Sequence, residues 1–494
     1  MQGPDFDIAI VGGGSAGLEL ARMASRAGLR VAVIEQGASN GRHLFQRIPL
    51  MVGKIIGNGR YVDAWQSPPL AGAGGTPRPV LAGRGLGGSS RVNGNVAYAG
   101  PAARYASIFG PLGLDFTGVL AGLNGPVGRV FTWTDALSDV FLNAAQAQGA
   151  RRVTDPDDDF FGASPLHVNT KGGWRYNHFD AYCKTAQMAQ ITVVRGTAQA
   201  LDYGPHGVAG VRLTDGRVIA ARETVLAAGA VGSPALLMRS GIGADDMIQA
   251  AGVNPMLNQP RVGQHLKDHA NLRIPFSCPG HDPLNQKTRG LRALAQGLKF
   301  MAGHADTVLR GPGASVGLNA GSGHDPYRIQ LVHFTQDRSQ VGTKGIVFER
   351  QQGASLGLYA LWPKSEGSVQ LAADGSLCID PGFLANDHDV ATTTRALGHA
   401  RGIIADMGFA PRPSPVDDET LIRSGVYSGY HLIGSNRMAA TAADGVVGPD
   451  FAVHGVAGLS VCDASVMPDH LSSHSYLPTI AMARMFGQQR GWAW

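Results

Sequence analysis

The stretch FDIAIVGGGSAGLELARMASRAGLRVAVIEQG, residues 6–37, constrains the fold more than any other part of this chain. Its apolar run DIAIVG predicts a buried strand, and LELARMASRAG has the apolar spacing of a helix. RVAVIE then predicts a second strand, which ends at Glu35. Between the first strand and the helix lies the pattern Gly12-x-Gly14-x-x-Gly17. A strand, a glycine turn, a helix, a strand and an acid in this order are typical of a dinucleotide-binding βαβ unit.

Each glycine of this turn has its own physical task. Gly12 allows the tight turn, Gly14 lets the backbone approach a pyrophosphate, and Gly17 lets the helix pack closely on the strand. The positive end of the helix then faces the phosphates. Glu35, 18 residues after Gly17, is placed to accept a hydrogen bond from a ribose hydroxyl. The alternative is a glycine-rich structural turn, and the motif alone does not distinguish FAD from NAD.

Composition excludes several other classes of protein. The net charge of +5 is small for 494 residues and no dense run of Lys and Arg occurs, so we expect no nucleic-acid partner. The four cysteines are far apart and form no CxxC pair, which argues against disulfides and a zinc site and fits a reducing compartment. No signal-peptide pattern and no window of 18 apolar residues is present. We therefore expect a soluble cytoplasmic protein without a membrane span.

A second glycine-rich loop, GRGLGGSSRVNGNVAYAG, occupies residues 83–100. Its backbone N–H groups, its serines and Arg84 would suit a second phosphate cradle, and the alternative is a flexible surface loop. The pattern G-R-x-L-G-G-S-S-x-x-N-G within it resembles a signature of the glucose–methanol–choline (GMC) oxidoreductases, which are FAD enzymes. Further segments that resemble this family, in the family's order, are GAVGSPALLMRSGIG (229–243), RVGQHLKDH (261–269), LWPKSEGSVQL (361–371) and VHGVAGLSVCDASVMP (453–468).

The resemblance implies an α/β fold, α+β overall, with two domains. A Rossmann-like FAD-binding domain would be assembled from residues 1–155, 190–270 and 425–494. A substrate domain, with an antiparallel sheet flanked by helices, would comprise residues 156–189 and 271–424. The alternating strands predicted near RIQLVHFT and GLYALWP are consistent with that sheet.

The resemblance also implies which residues bind FAD. The expected cofactor-binding residues are Gly12, Gly14, Ser15, Gly17, Glu35, Arg84, Gly87, Gly88, Ser89, Ser90, Asn93, Gly94, Val194, Asp463, Ala464, Pro478 and Thr479. Some relatives attach FAD covalently through a histidine two residues after GGSS. Val92 occupies that place here and cannot form the bond, so we expect non-covalent FAD.

Two histidines match the catalytic pair of the family. YHLIGSNRM resembles the pattern H-x-x-G-T-C-x-M and supplies His431, although Ser435 and Asn436 replace Thr and Cys. SSHS supplies His474, 43 residues later, which resembles the members with two histidines. His431 is the expected base, since a neutral imidazole with a pKa of about 6.5 can take a hydroxyl proton at neutral pH. His474 would orient the hydroxyl and stabilise the developing alkoxide.

The helix that begins near LPTIAMARMF would direct its positive end at the flavin, with Pro478 at an early helical position. A metal site is the competing interpretation of the histidines, because His470 and His474 lie four residues apart, as do His265 and His269. We expect no metal, since SSHSYLP is predicted as a loop leading into a helix and no third ligand is evident. His265 and His269 are expected to make structural hydrogen bonds.

These features together predict FAD-dependent oxidation of an alcohol to a carbonyl, by hydride transfer to flavin N5. The substrate would be a small-molecule alcohol, and the electron acceptor is O2 or another molecule. The alternatives are an FAD-containing lyase or a light-driven decarboxylase on the same fold, and a flavin-binding protein without catalytic activity. The substrate itself, the choice between oxidase and dehydrogenase, and the oligomeric state have no signal in the sequence.

Overall fold

The computed structural model describes residues 4–37, 43–123, 129–154, 160–182, 190–321, 323–337 and 345–494. In chain order, the helices of this part are α1 (Ser15–Arg26), α2 (Leu44–Arg47), α3 (Ala102–Phe109), α4 (Thr117–Gly122), α5 (Ala136–Ala147), α6 (His178–Tyr182), α7 (Gly229–Arg239), α8 (Asp245–Ala250), α9 (Leu284–Lys287), α10 (Gly290–Met301), α11 (Asp387–Asp406), α12 (Asp418–Gly425) and α13 (Tyr476–Gln489).

The strands, in chain order, are β1 (Phe6–Val11), β2 (Val31–Glu35), β3 (Val62–Gln66), β4 (Pro79–Gly83), β5 (Arg129–Phe131), β6 (Gly162–Pro165), β7 (His167–Lys171), β8 (Trp174–Arg175), β9 (Ile191–Arg195), β10 (Ala198–Gly204), β11 (Gly207–Leu213), β12 (Val218–Leu226), β13 (Ile242–Gly243), β14 (Leu257–Asn258), β15 (Ala270–Phe276), β16 (Ala314–Ala320), β17 (Tyr327–Val332), β18 (Ala354–Ala360), β19 (Ser368–Leu371), β20 (Leu377–Asp380), β21 (Tyr427–Ser428) and β22 (Leu459–Val461).

The first sheet is built around the predicted βαβ unit. β1 and β2 pair in parallel, with Ile8 beside Val31, and α1 connects them. β9 continues the parallel sheet beyond β2, while β12 and then β22 continue it on the other side of β1. β11 and β10 add an antiparallel extension to β12. β2 is buried throughout, as expected for a parallel strand that is covered on both faces.

The second sheet has six antiparallel strands in the order β21, β15, β18, β17, β16 and β6. It contains the two strands predicted from RIQLVHFT and GLYALWP. Four smaller groups of strands pair separately: β3 with β4, β13 with β14, β19 with β20, and β5 with β7 and β8. A Rossmann-like parallel sheet and a separate antiparallel sheet with helices confirm the predicted α/β fold class.

The two faces of the second sheet differ in chemistry because side chains alternate along each strand. On β17, Ile329 and Leu331 belong to the apolar core that also contains Leu397 of α11. The other face of β17 carries Arg328, and β18 places Tyr359 beside it in register. This polar face lies towards the histidines described below. The predicted boundaries of the two domains stay a proposal.

Within the described ranges, no helix is both long enough and apolar enough to cross a membrane.

Candidate active site

The first glycine loop is closely packed at two of the three glycines of the Gly12-x-Gly14-x-x-Gly17 pattern. Gly12 has φ +105°, and a Cβ there would lie 2.5 Å from the carbonyl oxygen of Ala227. A Cβ at Gly17 would lie 1.9 Å from the carbonyl oxygen of Gly12. Both positions therefore require glycine for the packing of the βαβ unit itself, whether or not a ligand is bound.

Gly14 differs, since the space beside it is open. A Cβ there would meet nothing nearer than the Ala227 carbonyl oxygen at 3.9 Å. Gly14 is also the N-cap of α1, and no described side chain caps this helix, whose first turn contains no acid. An open position beside uncapped N–H groups suits a phosphate, so the residues present fit the pyrophosphate of a dinucleotide.

Glu35 connects the two glycine loops. Its carboxylate accepts hydrogen bonds from the backbone N–H groups of Gly13 at 2.9 Å, Gly37 at 2.7 Å and Gly85 at 3.1 Å. The N–H of Gly87 donates to the Gly13 carbonyl oxygen over 2.7 Å. The two oxygens of a carboxylate offer about four acceptor sites, so Glu35 can hold the loops together and still accept from a ribose hydroxyl.

Gly88 contacts the first loop directly, because a Cβ there would lie 2.9 Å from the Cα of Gly14. Ser90 is buried and donates to the Gly87 carbonyl oxygen, and the Ser89 hydroxyl accepts from the N–H of Gly83. These hydroxyls shape the second loop. The second loop is thus folded against the first at the position predicted for the phosphates.

The other residues of this region that were predicted to bind FAD differ in their exposure to solvent. Arg84 pairs with Asp63 at 3.0 Å, and the Asn93 side chain accepts from Arg175. Gly94 is exposed, whereas Val194 is buried in the core on β9. Val194 therefore has an evident packing role.

The C-terminal segment contacts the start of α7 through Asp463 and then leads into α13. Asp463 is buried and accepts from the N–H of Gly229, at the start of α7, and from the N–H of Ser465. Burial raises the pKa of this carboxyl. Ala464 follows it and begins a short 3₁₀ turn. Asp463 therefore anchors the segment that leads to the second histidine.

α13 begins at Tyr476, one residue before the predicted LPTIAMARMF run, so Pro478 is its third residue. Thr479 donates its hydroxyl to the Ser475 carbonyl oxygen at 2.7 Å, and no described side chain caps the helix. The first-turn N–H groups of α13, like those of α1, are thus available to an anionic ligand.

A buried ion cluster fixes α13 against α1. Glu19 on α1 is fully buried and accepts from Arg484 of α13 at 2.8 Å and from Arg22 at 3.0 Å. Burial alone would raise the pKa of Glu19, but a hydrogen bond from His178 and the charges of the two arginines hold it below the usual range. The ion cluster therefore fixes the position of α13 relative to α1, and with it the positions of their two uncapped N-termini.

His431 and His474 lie side by side, as their predicted roles require. Their ring centroids are 4.8 Å apart in a T-shaped arrangement. The Nδ1 atom of His474 is 2.9 Å from the Ser473 hydroxyl. On the sheet side, Tyr359 lies against His431 with ring centroids 6.1 Å apart, and Tyr98 lies 6.1 Å from His474.

Two further histidines, which sequence reasoning did not connect with this pair, complete a cluster. His269 Nδ1 lies 2.9 Å from His431 Nδ1, and His470 stacks on His269 with ring centroids 3.9 Å apart. Within the described residues, no three or more His, Cys, Asp or Glu side chains are grouped to hold a metal ion. The segment RVGQHLKDH, which resembles a family motif, contains His269, but nothing in this segment predicts a contact with His431.

The hydrogen bonds of His269 determine the tautomer of His431. His269 Nε2 lies 3.0 Å from the Leu361 carbonyl oxygen, which can only accept, so Nε2 carries the proton. Burial lowers the pKa of His269 to about 4, so its ring is neutral and its Nδ1 is an acceptor. His431 must then donate from Nδ1, which leaves its Nε2 unprotonated. His431 therefore presents a free basic nitrogen.

Asp268 holds the backbone around these histidines. Its carboxylate accepts from the N–H groups of His269 and His431, both at 2.8 Å, and from the Ser428 hydroxyl. Tyr430, directly before His431, has φ +60°, which is strained for a bulky residue. The bonds to Asp268 and the Ser428 hydroxyl, which accepts from the Tyr430 N–H, keep this conformation in place.

Burial also sets the protonation of the pair. It lowers the pKa values of His431 and His474 well below the ordinary value, and Arg328 and the other histidines, whose protonation would compete, lower them further. Burial raises the pKa of Asp268 to about 7. Because their pKa values are lowered, His431 and His474 are neutral at neutral pH, the state in which an imidazole acts as a base.

The unusual Ser435 and Asn436 are both buried next to this region. Ser435 donates to the Ala230 carbonyl oxygen at 2.6 Å, and the Asn436 amide donates to Ser465 at 3.1 Å. The Asn436 Oδ1 atom is buried and has no hydrogen-bond partner in the described part of the chain. An unsatisfied buried acceptor of this kind fits a bound group that donates a hydrogen bond.

Comparison with known proteins gives the family. The chain matches the model of the N-terminal part of the GMC oxidoreductases over residues 6–271 and that of the C-terminal part over residues 363–483. It is 27% identical to the oxygen-dependent choline dehydrogenase of Brucella suis biovar 1 (strain 1330), over 94% of this chain and 91% of that protein. It is also 27% identical to pyridoxine 4-oxidase of Microbacterium luteolum, over 97% and 98% respectively.

Solved structures show the same fold. The pyridoxine 4-oxidase from "Mesorbium loti" superposes with a TM-score of 0.84 at 23% identity, over 98% of this chain and 99% of that one. A formate oxidase superposes with a TM-score of 0.85 at 19% identity, over 99% and 98%. Because the two family models together cover most of the sequence, the chain belongs to the GMC oxidoreductase family of FAD-binding proteins.

Proposed function

We propose that His431 is the base and His474 the orienting partner in this FAD-dependent alcohol oxidoreductase. The observation that carries the proposal is the hydrogen-bonded chain from Leu361 through His269 to His431. It directs a proton to His431 Nδ1 and leaves Nε2 free to accept the hydroxyl proton of an alcohol. His474, 4.8 Å away between ring centroids, is placed to bind the same hydroxyl.

The FAD that the family binds supplies the hydride acceptor. Gly14 and the first turn of α1 would hold its phosphates, and Glu35 its ribose. We propose that this binding is non-covalent, since Val92 stands where some relatives have the linking histidine. The chain's own groups then act on protons: His431 removes the hydroxyl proton, and His474 binds the oxygen from which it leaves.

The test is anaerobic mixing of the FAD-loaded protein with primary alcohols, sugars and aryl alcohols. We expect at least one to bleach the absorbance of the oxidised flavin and to yield the matching carbonyl compound. Admitting air afterwards tests oxygen as the acceptor, which the names of the oxygen-dependent dehydrogenase and the oxidase suggest. A fully loaded flavin that no alcohol reduces would refute the proposal.

Neither alternative function finds support among the relatives. The names of the relatives described above are those of dehydrogenases and oxidases. Oxidation of an alcohol is also what a free imidazole nitrogen beside a second imidazole is suited to promote.

The lowered pKa of His431 predicts an unusual pH dependence. An imidazole with a pKa of about 6.5 would be only about one-quarter neutral at pH 6, and the rate would fall about fourfold from its value at pH 8. Because protonation of His431 requires a pH well below this ordinary pKa, the base stays free as the pH falls. The rate constant of flavin reduction, measured by stopped flow at saturating alcohol, should change less than about twofold between pH 8 and pH 6.

Asp268 contacts the backbone of His431, and its pKa, raised to about 7, lies between pH 6 and pH 8, so its titration must be separated from that of the base. Its carboxylate accepts from two backbone N–H groups and from the Ser428 hydroxyl. Asparagine keeps an acceptor oxygen for the N–H groups, and its amide nitrogen can donate to the hydroxyl. The Asp268→Asn variant should therefore show the same flat profile. A decline of about fourfold between pH 8 and pH 6 in both proteins would mean that the base titrates as an ordinary histidine.

A further inference from the structure

Arg328 is a buried cation one side chain away from both catalytic histidines. It is 2% exposed and lies on the polar face of β17. Its strand neighbour in register is Tyr359, whose ring contacts His431. Its guanidinium lies over the ring of Tyr98, 5.1 Å from the centroid, and Tyr98 contacts His474.

No carboxylate neutralises this cation within the described ranges. Arg328 donates to the neutral side chains of Asn319 at 2.7 Å and Gln330 at 3.2 Å, and its Nη2 has no hydrogen-bond partner there. The surrounding sheet face contributes amide and phenol groups. A buried guanidinium that meets only neutral groups leaves a net positive field at the site, since little water is present to screen it.

The nearest acids are bound to other groups. Asp268 directs both carboxylate oxygens at backbone N–H groups and at Ser428. Asp469 pairs with Arg104 at 2.6 Å and with Lys267 at 3.3 Å, and Lys267 also lies 3.7 Å from Glu366, so these two acids are already paired with two bases. Hydrogen bonds from neutral groups leave the charge of Asp268 in place, but burial raises its pKa to about 7, so its carboxyl is only about half ionised at neutral pH and offsets Arg328 only in part.

We propose that the site selects alcohols by charge, preferring an anionic alcohol to a neutral one and a neutral one to a cation. The inference rests on the proposed function at the same histidine pair. The same field stabilises the negative charge that develops on the substrate oxygen as His431 removes its proton. A cationic substituent would oppose both Arg328 and that developing charge.

This charge preference separates the chain from the choline-oxidising relatives. Choline is a quaternary ammonium alcohol, and such cations are bound by acids or by open aromatic faces. Tyr98 is an aromatic ring beside the catalytic pair, but the guanidinium of Arg328 already lies over it. The 27% identity to choline dehydrogenases therefore does not extend to choline as a substrate.

The test compares alcohols that differ in charge but little in shape. One set is choline, 3,3-dimethylbutan-1-ol and 4-hydroxy-2,2-dimethylbutanoate, and a second is the benzyl alcohols with aminomethyl, methyl or carboxyl groups in the para position. In the wild-type enzyme we expect kcat/KM to rise from cation to neutral to anion by about tenfold or more in total. A cation that reacts faster than its neutral counterpart overturns the inference.

Arg328→Met and Arg328→Lys test the residue. We expect methionine to reduce the anion-to-neutral ratio of kcat/KM by about tenfold or more and lysine to retain most of it. Arg222→Met, at an exposed position, is the matched control and should leave the ratio unchanged. The ratio should persist in high salt, because screening weakens the attraction of the overall +5 charge and not that of a buried group.

Binding without turnover separates this inference from the proposed function. Acetate, benzoate and tetramethylammonium are titrated against the FAD-loaded protein, with the flavin absorbance as the readout. Tighter binding of the anions in the wild type, lost in Arg328→Met, supports the charge preference even if no alcohol is oxidised. Equal or tighter binding of the cation overturns it, even if alcohols are oxidised.

Discussion

Replacement of His431 by alanine should slow flavin reduction by about 10²–10⁴-fold while FAD stays bound, since this is the usual scale of general base catalysis. The loss follows from the geometry, because His431 offers the free Nε2 that His269 leaves unprotonated. The loss should fall on the rate constant at saturating alcohol more than on alcohol binding. Anaerobic stopped-flow reduction, with FAD content measured in parallel, is the measurement.

Two controls separate catalysis from structure. His206→Ala removes a histidine at an exposed position and should leave the rate unchanged. Added imidazole should partly restore reduction in His431→Ala, because the vacated space can admit a free base, and should not accelerate the wild type. Wild-type reduction kinetics in the variant would remove His431 from the role of base.

Much of the fold could be predicted because its strongest signals are local. The glycine pattern at residues 12–17 predicts the turn from neighbouring residues alone, although Gly12 also packs against the distant Ala227. The clash that a Cβ at Gly17 would make with Gly12 spans only five residues. The alternation in RIQLVHFT likewise predicts a strand from neighbouring residues alone. The histidine pair was found by its resemblance to family motifs.

The rest of the site depends on contacts between distant segments, which a local pattern cannot specify. His269 reaches His431 across 162 residues because β15 pairs with β21, with Ala270 beside Ser428. That pairing also lets the Gly429 N–H donate to the His269 carbonyl oxygen at 2.8 Å. An HxxxH spacing gives no hint of this register, so the structural hydrogen bonds predicted for His269 did not include its contact with His431.

Arg328 illustrates a second reason why local patterns do not define the site. Alternation along β17 shows that Arg328 and Ile329 lie on opposite faces, but not which face meets the histidines. Packing of the apolar face on α11 decides this, and α11 lies about sixty residues further along the chain. Once the apolar face is covered, the arginine is left beside Tyr98 and Tyr359. The packing of α11 on the apolar face thus determines that Arg328, on the opposite face, lies at the site.

Replacement of Gly14 by valine should yield a folded protein that is purified nearly free of FAD. Gly14 has φ −75°, which any residue can adopt, and its Cβ direction is open apart from a carbonyl oxygen at 3.9 Å. The valine side chain would occupy the space assigned to the pyrophosphate and separate it from the N–H groups of α1. Loss of two charge-assisted hydrogen bonds corresponds to FAD affinity about 10²–10⁴-fold weaker.

The comparison with Gly17 and Gly398 makes this prediction specific to the cofactor. Gly17→Val should lower the thermal stability as well, since its Cβ would lie 1.9 Å from the Gly12 carbonyl oxygen. Gly398→Val, on the exposed side of α11 with nothing within 4 Å, should keep both FAD and stability. FAD released by acid precipitation and the thermal unfolding of each variant are the measurements. If Gly14→Val retained FAD like Gly398→Val, the pyrophosphate would have to bind elsewhere, because no phosphate can share the volume of that side chain.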